Sequence, residues 1–208
     1  MLHFTPEYFH NQLANPNPAR VQVRQEMMYT GRNGMLLKDP ETWKESAVLM
    51  ILWEKNAEWH TLLMQRNLYE GAHSGQISFP GGRKEKEDFT LWDTALRETT
   101  EETGITASSL TFLGALSPLH IPVSGFYVHP FVAFHQGPPS LSPDPREVHH
   151  VLEVPLTSLW HPSVKTKQNL KVRTLELTDV PGYGWKDYFI WGATAIMLRE
   201  AEFLFVQR

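Results

Sequence analysis

The sequence predicts a mixed α/β fold in a single domain, and three observations predict it. Strand-like segments fill the middle of the chain, one amphipathic helix is inserted among them, and a second helix closes the chain. At 208 residues the chain can bury one sizeable core but is short for two full domains. Residues 1–44 are expected to form an N-terminal helix and extension packed on a main domain of residues 45–208.

The elements follow in order. Thr5, Pro6 and Glu7 ahead of Tyr8, Phe9 and Leu13 predict a short capped helix, which the stretch from Asn15 to Pro18 ends. Between about residues 20 and 45 the pattern is weak, with a turn at Gly31, Asn33 and Gly34. Apolar residues 47–53 and 59–65, joined by polar residues 54–58, are a hairpin signal. Residues 68–74 read as loop, and 76–79 as a short strand ending at Pro80, Gly81 and Gly82. A helix is predicted from about Thr90 to Thr103, because Thr90 with Asp93 fits a capping box and Gly104 stands where a left-handed cap is wanted. Strands are then expected at 111–116, 128–134, 148–153, 171–177 and 188–191, and a last helix at 193–205.

Composition narrows the function. Hydrophobic content of 41% and charged content of 20% are ordinary globular values. A net charge of -4 argues against nucleic acid as a partner. The absence of cysteine removes disulfides, thiolate nucleophiles and cysteine-ligated metal. The longest apolar run, residues 47–53, is far below a membrane span, and residues 1–13 lack a leader pattern, so no membrane association and a cytoplasmic location are expected.

On the predicted helix, Glu98, Glu101 and Glu102 fall within an arc of about 100°. Trp92, Ala95, Leu96, Thr99 and Thr103 occupy another face, suited to burial. Acidic helix faces are as a rule merely solvated. Here they follow Gly81 and Gly82, where the backbone can approach a ligand closely or simply turn. Carboxylates at this density suit a hard cation, Mg²⁺ or Mn²⁺, and Arg97 is spaced to pair with Glu101.

Gly82, Asp88, Arg97, Glu98, Glu101, Glu102, Gly104 and Ile105 together resemble the Nudix box. The interval from Gly82 to Arg97 is one residue longer than the commonest spacing, and the intermediate acid is Asp88 in place of glutamate. That longer spacing resembles the coenzyme A pyrophosphatase branch. Leu62, Leu63, Arg66, His73, Gly75, Gln76 and Phe79 to Gly82 are similar to that branch ahead of the box. So are Asp144 to Val148, Pro155, Leu156 and the run from Phe189 to Ala195 after it. The resemblance covers about residues 45–200. It implies the Nudix α/β/α sandwich, a mixed sheet with flanking helices, and metal-dependent hydrolysis of a small-molecule diphosphate.

The resemblance also implies roles. Glu98 and Glu102 are the expected metal ligands, with Glu101 and the Gly82 carbonyl completing the set and Arg97 orienting a glutamate. Glu101 and Glu147 are the candidate general bases. Arg66, Gln76, Gly81 and Gly82 are expected at the substrate. Asp88 is open between a second metal and a backbone cap.

Lys165, Lys167, Lys171 and Arg173 alternate and would share a strand face, as solvated surface or as a phosphate contact. His149 and His150 are adjacent, so a strand would point them apart, and zinc is not expected. Trp53, Trp59, Trp160, Trp185 and Trp191 read as packing, with adenine stacking as the alternative.

Coenzyme A or acyl-coenzyme A is the expected substrate, with Arg66 the first candidate partner for its 3'-phosphate and the stretch from Lys165 to Arg173 the second. ADP-ribose or another nucleoside diphosphate sugar is the enzymatic alternative, and a nucleotide-binding sensor module the non-enzymatic one. A homodimer is left open.

Overall fold

The computed structural model describes residues 4–15, 17–29, 43–67, 75–122, 124–172 and 175–206. Helix α1 (Pro6–Ala14) starts where Thr5 Oγ1 accepts the Tyr8 amide at 3.0 Å, and it buries Phe9 and Leu13. A short helix α2 (Ala19–Gln22) and a 3-10 turn (Val23–Met27) follow.

Strand β1 (Lys44–Lys55) is the axis of the sheet. It turns into β2 (Glu58–Arg66) through Asn56 and Ala57, both with positive φ. That is a two-residue mirror-image turn whose twist matches the strands, tighter than the polar linker expected. Beyond β3 (Ile77–Ser78), strand β4 (Gly81–Arg83) pairs antiparallel with the first half of β1. The short strand does end before Pro80, at Ser78; what the sequence does not predict is that Gly81 and Gly82 then open a new strand, because β1 offers them a ladder.

Helix α3 (Leu91–Thr103) comes next, then β5 (Leu110–Ala115), β6 (Leu119–Ile121), β7 (Phe126–His135) and β8 (Val148–Pro155). β7 runs parallel to β1, whereas β5 and β6 pair antiparallel with β7, and β8 with β2. The sheet is therefore mixed. After α4 (Leu156–Leu159), strands β9 (Lys165–Val172), β10 (Leu175–Trp185) and β11 (Tyr188–Trp191) form a second, antiparallel sheet. Helix α5 (Gly192–Phe205) ends the described chain. The strand expected at 171–177 is corrected: residues 171–172 end β9 and residues 175–177 begin β10, while 173 and 174 lie outside the described residues. Strand β6 was not expected; three residues carry too little pattern to read.

Both faces of the large sheet are covered. Ala47, Leu49, Ile51 and Trp53 pack with Ala95 of α3 and Ile105. Met50, Leu52, Leu63 and Val132 pack on the other side with Phe9, Leu13, Ile196 and Phe205. β1 is thus apolar at consecutive positions because both of its faces are buried.

A buried charge joins the N-terminal segment to this second layer. Glu200 on α5 is fully buried, with Arg20 Nε at 2.7 Å and Arg24 Nη1 at 3.5 Å. It also accepts the Ser117 amide and hydroxyl, each at 2.8 Å. Arg20 and Arg24 further donate to the carbonyls of Ala115, Ser117 and Pro118. Removing one member of a buried ionic set leaves the others uncompensated, at a cost of about 3–5 kcal/mol. Glu200→Ala is expected to lose stability on that order in urea denaturation; a loss below about 1 kcal/mol would mean the arginines are satisfied by carbonyls alone.

Candidate active site

The site is built on α3. Thr90 Oγ1 accepts the Asp93 amide at 3.2 Å while Asp93 Oδ2 accepts the Thr90 amide at 2.8 Å, which completes the capping box. Gly104 closes the helix in the left-handed conformation, at φ +77°. The carbonyls of Glu102 and Thr103 accept the amides of Asp144 at 3.1 Å and Ser142 at 2.8 Å. This docks the following loop on the helix end. The Glu147 amide then donates to the Asp144 carbonyl, and the Glu147 carbonyl accepts the Asn67 amide. Glu147 is exposed, yet its charge helps raise the pKa of both Glu98 and Glu102. The loop thus brings a fourth carboxylate beside the helix.

Arg97 is the hub. Its Nε and Nη2 donate to the two Asp88 oxygens at 3.0 Å each, its Nη1 donates to Glu98 at 2.9 Å and Glu101 at 3.3 Å, and its Nη2 also reaches the Arg83 carbonyl. Asp88 is buried and accepts the Thr94 hydroxyl and the Glu85 amide as well. Its oxygens are committed to these partners, so its role is to hold Arg97. Arg97 foremost holds the Asp88 carboxyl well below the usual range.

The three helix glutamates are not equivalent. The Glu101 side chain is 57% exposed, Glu98 15% and Glu102 1%. Glu102 Oε2 accepts the Gly81 amide at 2.8 Å, and Oε1 lies 3.1 Å from Arg66 Nη2 without hydrogen-bond alignment. Burial pushes its carboxyl up to about 7, against the opposing pull of Arg66 and the Gly81 amide. Burial also raises Glu98, partly offset by Arg97. Sequence periodicity puts all three on one open face; β4 and Arg66 cover the part holding Glu102.

The two glycines differ as well. A Cβ on Gly81 would stand 2.3 Å from the Ala47 carbonyl oxygen and 2.6 Å from the Val48 Cα, both backbone. A Cβ on Gly82 would stand 2.5 Å from the Glu98 carboxylate. Gly81 serves the sheet, and Gly82 serves the glutamate.

Of the remaining expected residues, Gln76 is half-buried and its carbonyl accepts the Arg66 amide at 3.1 Å. His73 and Arg173 lie outside the described residues. Lys165 is ion-paired with Glu202 at 2.7 Å, while Lys167 and Lys171 are exposed on β9. The rings of His149 and His150 touch, 4.2 Å between centroids, opposite a shift in the β2–β8 pairing; an ideal strand would separate them. Trp53, Trp59 and Trp160 are core, Trp185 stacks on Tyr188, and Trp191 meets Tyr29.

The NUDIX domain family model matches residues 43–190, which contain this whole arrangement. The chain belongs to the Nudix family. It is similar to the uncharacterized Nudix hydrolase NudL of Photorhabdus laumondii, at 34% identity over 140 residues, 67% of this chain and 73% of that protein. NudL of Pectobacterium atrosepticum is 32% identical over 67% of this chain and 71% of its own length. A solved MutT/nudix family protein from Enterococcus faecalis, 16% identical, overlaps 99% of this chain and 73% of its own, with a TM-score of 0.49. This chain is accordingly a Nudix hydrolase, a class that uses divalent cations and acts on small-molecule diphosphates. Among the described residues no helix is long and apolar enough to cross a membrane.

The donor set fits such an ion. Glu102 Oε1 is buried without a hydrogen-bond partner, and the Glu98 carboxylate lies over a glycine that leaves it room. No three acidic or histidine side chains among the described residues close into a cage. An open pair of carboxylates suits Mg²⁺, which keeps part of its shell for water and phosphate oxygens.

Gly82→Ala is therefore expected to fold and to lose at least about tenfold in metal-dependent turnover as Glu98 is displaced, whereas Gly81→Ala lowers the melting temperature itself. Thermal melts beside activity assays separate the two; equal melting losses would refute the distinction. A second expectation concerns pH. Asp88 has a folded pKa below its ordinary 3.8, so its contribution to stability is present above about pH 4 and is lost as pH falls further. Asp88→Asn should cost about 1–3 kcal/mol at pH 7, with the gap to the wild type narrowing below pH 4 in denaturant titrations. A gap independent of pH would exclude the ion pair as its source.

Proposed function

We propose that this Nudix hydrolase cleaves the diphosphate of coenzyme A or an acyl derivative to 3',5'-adenosine bisphosphate and the (acyl-)4'-phosphopantetheine, with Mg²⁺ or Mn²⁺ held by Glu98 and Glu102. The observation that carries the diphosphate chemistry is the pair of confined carboxylates, Glu102 on the Gly81 amide and Glu98 over Gly82. A bound divalent ion would supply neutralisation and polarisation of the diphosphate.

The chain's own residues would do the rest. Arg97 orients Glu98 and Glu101. Glu101 joins the ligand set or takes a proton, and the Gly82 carbonyl is a further ligand. Glu147, carried by the loop docked on the helix end, is the leading candidate outside the helix for the general base: the base, Glu101 or Glu147, accepts a proton from water as the water oxygen bonds to one phosphorus. The bridging P–O bond breaks, and the leaving phosphate carries off the electron pair. Both products are phosphate monoesters.

The choice of coenzyme A rests on the resemblance of the segments around Arg66 to Gly82 and Asp144 to Val148 to that branch. Coenzyme A carries a 3'-phosphate that ADP-ribose lacks, so its pocket needs a cationic partner, and Lys167 and Lys171 remain exposed for one. The test compares kcat/KM for coenzyme A, dephospho-coenzyme A, ADP-ribose and diadenosine polyphosphates with each metal, products being identified by mass. Coenzyme A is expected to lead, by about tenfold or more over its dephospho form. Preference for ADP-ribose, or indifference to the 3'-phosphate, would overturn the substrate assignment. Binding without turnover of any of them would favour a sensor.

A further inference from the structure

The end of β2 and the residue after it contact Gln76, Gly81, Glu102 and the loop through Glu147. The Arg66 amide donates to the Gln76 carbonyl at 3.1 Å, and its Nη2 donates to the Gly81 carbonyl at 2.8 Å. The same nitrogen stands 3.1 Å from Glu102 Oε1, while Glu102 Oε2 accepts the Gly81 amide. The Gly81 residue is therefore gripped at its N–H by the glutamate and at its C=O by the arginine, and those two side chains face each other. Next in sequence, Asn67 donates its amide to the Glu147 carbonyl and its Nδ2 to the Pro145 carbonyl. Four pieces of chain converge on two residues.

We propose that Arg66 is a positioning residue that locks Glu102 to the Gly81–Gly82 corner, and not a ligand for a substrate phosphate. This rests on the reading of Glu102 as a metal ligand. The Arg66 side chain is 23% exposed, and its Nη2 is turned inward to a backbone carbonyl and a buried carboxylate. One hydrogen bond anchors this nitrogen on the Gly81 carbonyl, and from there the guanidinium charge faces Glu102 Oε1 at 3.1 Å, a placement that a flexible lysine ammonium reproduces only in part. Outer contacts of this kind typically change metal affinity or activity by about 10–100-fold.

The test uses Arg66→Gln and Arg66→Lys in the full chain. Mn²⁺ affinity is measured by electron paramagnetic resonance without substrate, and steady-state kinetics with coenzyme A and dephospho-coenzyme A. In Arg66→Gln the Mn²⁺ dissociation constant should rise about tenfold or more and kcat should fall, with KM within about threefold and the ratio between the two substrates unchanged. Arg66→Lys should recover part of the Mn²⁺ affinity. Unchanged Mn²⁺ affinity in folded Arg66→Gln would overturn the proposal. So would a rise in KM confined to the 3'-phosphorylated substrate, which would make Arg66 a phosphate ligand. If the wild type turns over neither substrate, the coenzyme A reading falls, and the Mn²⁺ measurements still decide the role of Arg66.

Discussion

Asp88, Glu98 and Glu101 all lie within 3.3 Å of the Arg97 guanidinium, which touches all three. Pairs of like charges a few ångströms apart cost several kcal/mol at the effective dielectric of a protein surface. A planar cation with five donors can answer carboxylates in different directions and still reach the Arg83 carbonyl. The bidentate grip of buried Asp88 fixes the plane of the guanidinium. That plane in turn sets where Glu98 and Glu101 are held, and the Arg83 contact ties the helix to β4. The geometry of the candidate site depends on this one cation being immobile.

Glu102 solves the same crowding differently. It leaves the Arg97 set and sits under β4, where a backbone amide and the charge of Arg66 offset only part of the cost of its burial. The helix consequently offers carboxylates in graded environments: one solvated, one partly enclosed and one buried. Groups of identical chemistry can then differ in proton affinity, and the differences come from what covers each of them.

Much of this was legible in the residues. The ends of α3 follow from Thr90, Asp93 and Gly104, because caps are local chemistry, and the hairpin follows from two apolar runs. The box positions of Arg97, Glu98, Glu101 and Glu102 are read directly from spacing. The rest depends on contacts between distant segments. Whether Gly81 and Gly82 turn or pair is decided by β1, more than thirty residues earlier in the chain. Arg20 and Arg24 look like ordinary surface charges until Glu200 is brought beneath them. The bond that turns Arg66 inward requires β2 and β4 to be gathered by the same strand, β1, and no local pattern encodes that. The boundary between β9 and β10 was missed for the opposite reason: basic and apolar residues continue across it with little change in composition.

The docking of residues 142–144 on the end of α3 bears on how such an enzyme can change its substrate range. Loops are the usual currency of that change, being tolerant of replacement. Here the amides of Ser142 and Asp144 occupy the last carbonyls of the helix, and the place a side chain on Gly104 would fill is taken by Ser142. A transplanted loop must bring amides in the same register or leave a buried helix terminus unsatisfied. The heritable module is therefore larger than the loop: it is the last turn of the helix, its glycine and the segment through Glu147, exchanged together or not at all.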